Sequence, residues 1–218
     1  MTILLLGATG RTGNELLGQV LQAGISVHAI VRRAANVSIS SPNLILFESQ
    51  TLDEPVLRKA MSGCDAVLST LSISRTSEFP WSPLRTPTHF LSDTLRNVLN
   101  VADELAVRRI ILTTAWGVHE TRQDLPFWFR WLIDYSNLGP AYRDHERQEQ
   151  LLANSSCQWT IVRPVILTNT QTNKRVIISR QNTPAPHLTI SRHTVARFML
   201  HLYQTQGYIQ QAVTISDE

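Results

Sequence analysis

Cysteine is nearly absent from this chain. Cys64 and Cys157 stand far apart and outside any Cys-x-x-Cys or Cys/His spacing, which excludes a disulfide framework and gives no reason to expect a zinc or other metal site. Charge is sparse as well: Asp, Glu, Lys and Arg make up 17% of the residues and the formal net charge is only +3. The basic residues are scattered rather than gathered in a run, so a pI near 9.2 is no argument for nucleic acid as a partner. Apolar runs are short, none of them long enough to cross a bilayer, and Met1 leads straight into a strand-like run with no basic n-region or cleavage signal. A cytoplasmic protein, kept reduced and free of membrane, is the expectation. Sequence repeats and low-complexity segments are missing too.

What the chain does have is apolar content, 43% of its 218 residues. That is enough to bury one substantial core, and a single domain over residues 1–218 is expected. Ile3-Leu4-Leu5-Leu6 is a short apolar run closed by Gly7, and Leu16, Leu17, Val20 and Leu21 follow at helical spacing up to Gly24. Strand, turn and helix are thus predicted in that order. The same alternation continues through Val27 to Val31, Leu44 to Phe47, a helix near Asp53 to Met61, and Ala66 to Ser69. A helix from Thr88 to Leu105 leads to the strand Arg109-Ile110-Ile111-Leu112-Thr113, and a helix around Arg143 to Leu152 leads to Trp159-Thr160-Ile161-Val162. Such alternation predicts an α/β fold, a doubly wound parallel sheet of Rossmann type with right-handed crossovers.

Two stretches break the pattern. Ser74 to Pro87 carries Pro80, Pro83 and Pro87, and Gly117 to Gly139 carries Phe127, Trp128, Phe129, Trp131 and Tyr135 around one helix. Both follow predicted strands at their carboxyl ends, the edge where open parallel sheets bind ligands, which makes Phe127 and Trp131 candidates for a substrate-pocket wall. The alternative is that the aromatic helix packs on the core or on a second subunit.

The turn Gly7-Ala8-Thr9-Gly10-Arg11-Thr12-Gly13 lies directly after a strand and directly before a helix. In that context Gly7, Gly10 and Gly13 fall where a dinucleotide site needs a tight reversal, close backbone approach to a pyrophosphate and close helix–strand packing. Backbone N–H groups near Arg11 and Thr12, with the helix dipole behind them, would face the phosphates. The second strand ends in Val31-Arg32-Arg33, and from Asn14 to Phe47 the one acidic residue is Glu15, carried away on the helix. An acid at that strand end binds the ribose 2′-hydroxyl of NAD, whereas arginine accommodates the phosphate of NADP; Arg32 and Arg33, with Arg11 as a further cation, point to NADP(H).

Together with Gly63-Cys64-Asp65-Ala66-Val67, Trp159-Thr160-Ile161-Val162-Arg163-Pro164 and the segment from Ile190-Ser191-Arg192-His193 to Phe198-Met199-Leu200, these motifs resemble the atypical short-chain dehydrogenase/reductase group. Within it the chain is most similar to NmrA-like NAD(P)-binding proteins and to the biliverdin reductase B/flavin reductase branch, over essentially its whole length. The resemblance implies that Thr9 joins the pyrophosphate contacts, that Gln50 and Thr51 lie beside adenine in place of a Gly-Asp pair, that Leu71 and Ser72 lie along the nicotinamide ribose, and that Arg163, Pro164 and Val165 lie near the nicotinamide ring. Ala35 and Asn36 fall where relatives often carry a polar or basic partner for the 2′-phosphate.

The departures bear on mechanism. Relatives commonly show a hydroxyl pair after the fifth strand, but here the positions are Thr114 and Ala115. A Tyr-x-x-x-Lys dyad, in which lysine lowers the tyrosine pKa, would need lysine where Glu146 follows Tyr142. Asp144-His145 matches the flavin reductase branch, so Thr114 and His145 are the catalytic candidates. Hydride transfer to a flavin or linear tetrapyrrole needs little acid–base help, and Trp116 with the aromatic helix could stack a flat acceptor. Two functions follow: an NADPH-dependent reductase of a small planar or carbonyl-bearing molecule, or a non-enzymatic NADP(H)-binding sensor or scaffold acting through a protein partner. Either is compatible with a monomer or a homodimer.

Overall fold

The alternation read from the sequence is what the chain adopts. In the computed structural model, which describes residues 1–171 and 174–218, the elements run β1 (Thr2–Leu6), α1 (Arg11–Gln22), β2 (Ser26–Val31), β3 (Leu44–Glu48), α2 (Glu54–Met61), β4 (Ala66–Ser69), α3 (Phe90–Glu104), β5 (Arg109–Thr113), α4 (Phe127–Asp134), α5 (Gly139–Ala153), β6 (Gln158–Pro164), β7 (Ile166–Thr168), β8 (Val176–Ser179), β9 (Thr189–Ser191), α6 (Arg192–Thr205) and β10 (Gln211–Asp217). They form a single α/β domain around an eight-stranded sheet of order β3-β2-β1-β4-β5-β6-β10-β8, with β7 and β9 as a small separate pair.

Side chains alternate across the strands, so each strand feeds two cores. Ile3 and Leu5, Val27 and Ala29, Ala66 and Leu68, Ile111 and Val162 point to the layer of α1 and α6. Leu4 and Leu6, Ile30, Val67, Ile110, Leu112 and Ile161 point to the layer of α2, α3 and α5. Both faces are buried, which explains why the strands read as continuous apolar runs rather than as alternating ones. The sheet is parallel except for β8, which runs antiparallel to β10 at the edge. A half-exposed edge strand satisfies its ladder from one side only, so it can enter in either direction without a crossover helix.

Strand order reverses between β1, which leads outward to β2 and β3, and β4, which leads the other way. This switch point opens a crevice at the carboxyl ends of β1 and β4. The glycine turn lies there: Gly7 has φ +88°, and a Cβ on Gly13 would stand 2.0 Å from the Gly7 carbonyl oxygen. No side chain larger than hydrogen fits at Gly13, because α1 closes directly onto the end of β1.

Helix boundaries follow local chemistry. Asp53 caps α2 by accepting from the Val56 amide (3.3 Å), with Pro55 in the first turn. α5 starts at Gly139, earlier than the periodicity around Arg143 to Leu152 predicts, because Pro140 in its first turn is pre-set for helix. The segment Gly117 to Gly139 holds a 3-10 turn (His119–Asp124) as well as the expected aromatic helix, α4.

Candidate functional site

α1 begins without a side-chain cap at Gly10 and without an acidic residue in its first turn. Its first amides therefore have neither an intrahelical acceptor nor a competing carboxylate, and they face the crevice with the positive end of the helix. Thr9, Gly10 and Arg11 are exposed there and Thr12 is half-buried. At the end of β2, Arg32 and Arg33 are exposed and hold no ion pair among the described residues. Glu48, ending β3, is occupied by the Ala34 amide (3.0 Å), and the Gln50 amide group donates to the Arg32 carbonyl (2.9 Å). Thr51 donates to Asp53 (3.1 Å). On the far side of the switch point Leu71 is half-buried and Ser72 exposed. These groups fit a dinucleotide: open amides for a pyrophosphate at one end, and unpaired guanidinium groups one strand away.

The carboxyl ends of β5 and β6 hold a buried charge cluster. Thr114 donates its hydroxyl to Glu149 Oε1 (2.6 Å), and Arg163 donates to both oxygens of Glu149 (3.0 and 2.6 Å) and to Glu120 (2.5 and 3.4 Å). Burial disfavours the Arg163 charge, and the hydrogen bonds and charges of Glu149 and Glu120 more than offset it, so its pKa is raised. Glu120 is pushed upward by burial and further downward by Arg163 and His119, and stays ionised. Arg163 is thus consumed inside the protein, and Thr114 has only lone pairs left to offer a ligand. The Pro164 carbonyl accepts from the Trp116 amide (3.0 Å) and the Val165 amide donates to Ile215 (3.2 Å), so the backbone of that strand end is also engaged.

Two expected site residues lie elsewhere. His145 is buried, its Nδ1 3.3 Å from Gln148 Oε1, and burial lowers its pKa despite Gln148, Glu149 and Asp144. It is shielded from solvent, and burial disfavours its protonated form. Trp116 is 4% exposed and packs in the α1/α6 core, so it presents no stacking face. Both follow β5 or ride α5 on their inward side, a facing that spacing alone did not distinguish. An imidazole with solvent access beside this cluster is His119, half-buried, 4.0 Å from Glu149 and 3.1 Å from the Glu146 carbonyl. Its backbone is left-handed, φ +49°, a conformation costly for a residue with a side chain. Tyr142 donates to the Trp116 carbonyl (3.2 Å), and burial drives its pKa well up even against Arg122, so it does not substitute for a reactive tyrosine.

The two insertions meet. Trp81 Nε1 donates to the Tyr135 carbonyl (2.7 Å), and the Asn137 side chain donates to the carbonyls of Trp81 and Ser82 (2.9 and 3.1 Å). Phe79, Trp81, Trp131 and Tyr135 form a chain of ring contacts at 5.1, 6.4 and 5.6 Å. Phe127 is 76% exposed and Trp131 48%. Glu78 in the first insertion pairs with Arg11 of the glycine turn. Glu78, His119, Glu120 and Glu149 were not anticipated, and Arg192-His193 stood out only as part of a resembling segment: they come from four separate stretches of chain, and only Ser191 ahead of Arg192, an N-cap accepting from the Thr194 amide (3.0 Å), leaves a local mark.

A parallel sheet with a glycine turn and an uncapped helix at its switch point defines a Rossmann-type dinucleotide-binding protein. The chain belongs to the NAD(P)H-binding family, which it matches over residues 7–206. Among curated relatives it is 23% identical over 202 residues to the oxidoreductase tpcG of Aspergillus fumigatus, covering 88% of this chain and 75% of that one. It is 28% identical over 127 residues to a dihydroflavonol 4-reductase of Zea mays, where the match covers 53% of this chain and 35% of the relative, so it spans about a third of that enzyme's length. Solved structures share the fold throughout. ChuY, an anaerobillin reductase from Escherichia coli O157:H7, superposes with a TM-score of 0.81 at 20% identity, over 100% of this chain and 97% of that one. A short-chain dehydrogenase/reductase from Veillonella parvula in complex with NADP gives 0.81 at 14% identity, over 99% and 94%. No helix among the described residues is long and apolar enough to cross a membrane.

Proposed function

We propose that this chain is an NADPH-dependent reductase that passes a hydride to a small planar acceptor. The observation that carries this proposal is the pairing of an uncapped α1 beneath the glycine turn with two exposed, unpaired arginines, Arg32 and Arg33, at the end of β2. Gly7, Thr9, Gly10, Arg11, Thr12 and Gly13 would hold the pyrophosphate, Arg32 and Arg33 the 2′-phosphate, Gln50 and Thr51 the adenine, and Leu71 and Ser72 the ribose beside the nicotinamide, with Val165 below the ring. NADPH, when bound, supplies the hydride. The chain's own work is to orient and to exclude water: Thr114, fixed by Glu149, offers an acceptor lone pair, and the aromatic rim of Trp81, Trp131 and Phe127 covers a flat molecule at the sheet edge. His119 is the group assigned to deliver the proton.

The test is a fluorescence titration with NADPH and NADH, followed by the loss of reduced-nicotinamide absorbance when a flavin is added. Tighter binding of NADPH is expected, and Arg32→Ala with Arg33→Ala should cost it at least about tenfold in affinity while leaving NADH unchanged, since hydrogen bonds to charged groups contribute about 1.5–3 kcal/mol each. Equal binding of the two dinucleotides would remove the NADP assignment. His119→Gln should slow turnover on the order of a hundredfold without changing NADPH affinity; unchanged turnover would return proton supply to solvent.

A second function is favoured by one observation, the exposed aromatic surface of Phe127, Trp128, Trp131 and Tyr135. In that case the chain is a cofactor-bound sensor or scaffold whose rim meets a protein partner. Dinucleotide binding without turnover of flavins, tetrapyrroles or quinones would select it.

A further inference from the structure

The helices α1 and α6 pack side by side, and between their amino-terminal turns lies a cavity of about 290 Å³. Arg11 and Asn14 line it from α1, Arg192 and His193 from α6, and Asn169 from the segment after β7. Neither helix carries an acidic residue in its first turn; the α1 end is uncapped, whereas the α6 end is capped by the Ser191 hydroxyl on the Thr194 amide (3.0 Å), with Asp217 accepting from the Ser191 amide (2.9 Å). Glu15 is the one carboxylate in the wall, and it is already engaged by His193 Nδ1 (3.1 Å) and the Gln171 amide (2.8 Å). Arg192 donates to the neutral side-chain oxygen of Asn169 (2.6 Å) and has no carboxylate partner among the described residues. Arg11 turns to Glu78, but that pair is exposed on both sides, 53% and 77%, and therefore weak. Burial lowers the Arg192 pKa and the Arg11 cation lowers it further, with Glu78 working the other way. The Arg192 guanidinium, its charge disfavoured by burial and by the Arg11 cation beside it, stands with Arg11 where the amino-terminal turns of two helices line one cavity, and an anion there would relieve it.

The cavity stands on the far side of the glycine turn from Arg32. In strand order β2 lies outward of β1, whereas Arg192 follows β9, whose partner β7 continues from β6. A dinucleotide that places its 2′-phosphate at Arg32 and its pyrophosphate on the glycine turn has no further anion for this position.

We propose that the cavity seats an anionic group, a carboxylate or phosphate, borne by the acceptor, and that Arg192 is the residue that makes the protein prefer acidic acceptors over neutral ones of the same shape. This rests on the reductase function proposed above and narrows its substrate class. A bidentate guanidinium contact with carboxylate or phosphate is both strong and directional, which suits a group that must fix one end of a flat molecule while its ring lies at the sheet edge.

FMN and riboflavin share one ring system and differ by a phosphate, so they are the probes. Their dissociation constants are measured by quenching of flavin fluorescence on protein saturated with NADP⁺, for the wild type, Arg192→Gln and Arg192→Lys, alongside NADPH affinity and turnover. FMN should bind the wild type roughly tenfold or more tightly than riboflavin, Arg192→Gln should bring FMN to the riboflavin level with riboflavin and NADPH unaffected, and Arg192→Lys should recover part of the preference. Loss of NADPH affinity in Arg192→Gln, equal to the loss for FMN, would mean that the cavity serves the cofactor phosphates and would overturn the proposal. So would a wild type that binds neither flavin or does not distinguish them. Discrimination in binding with no turnover would instead remove the reductase function and leave the anion seat standing.

Discussion

His145 is a titratable residue whose burial bears on stability. It rides the inner side of α5 beside Asp144 and Glu149, and its pKa is lowered first by burial. In the unfolded chain a histidine takes up its proton near pH 6.5, whereas the folded protein resists that proton until lower pH. The folded state therefore binds fewer protons in this window, and stability is fully present above about pH 6.5 and declines as pH falls through the folded pKa. Urea midpoints for the wild type should fall between pH 7 and pH 5, and His145→Gln should flatten part of that slope. A slope identical in the variant would show that the imidazole is protonated equally in both states.

Among the helices, α3 depends on α5 for its start. Its N-cap position, His89, supplies no side-chain hydrogen bond. Asp144, fully buried, takes over from across the interface, accepting from the Leu91 amide (2.7 Å) and the Ser92 hydroxyl (2.5 Å). One carboxylate thus compensates the positive end of α3 and satisfies two donors that no water reaches. Asp144→Ala should cost about 2–4 kcal/mol in denaturant stability, from stranded donors and the lost dipole interaction, and it should speed hydrogen exchange first in the opening turn of α3. A loss no larger than that of an ordinary exposed cap, about 1 kcal/mol, would mean that another group takes its place. The pair Asp144-His145 resembled a catalytic motif in the sequence, and the structure gives both residues packing roles on α5. Spacing identifies which residues share a helix, but which neighbour that helix meets is decided by the other layer of the fold. Elements with a clear period were legible: β4 and β5 run over the residues read from the sequence, and α2 differs only by its cap. The last quarter was not, because β7, β8 and β9 are three or four residues long, too short for any period to emerge.

At the scale of the molecule, the core of the proposed cofactor site was legible because its glycine turn is one continuous segment, Gly7 to Gly13. The acceptor half proposed above draws on Glu78, Trp81, Thr114, His119, Trp131 and Arg192, residues far apart in sequence that the sheet order brings to one edge. The two insertions over this edge are tied by Asn137, whose side chain donates to Trp81 and Ser82 while its backbone amide donates to the Pro80 carbonyl (3.0 Å). Residues 74–87 and 127–137 are therefore expected to open as one unit and not two. Their backbone amides should share a single exchange protection, rising together when NADPH is added; Asn137→Ala should split them into two classes. If they open together, release of a molecule from the edge is expected to be a single kinetic step whose rate follows the tie and not either loop alone.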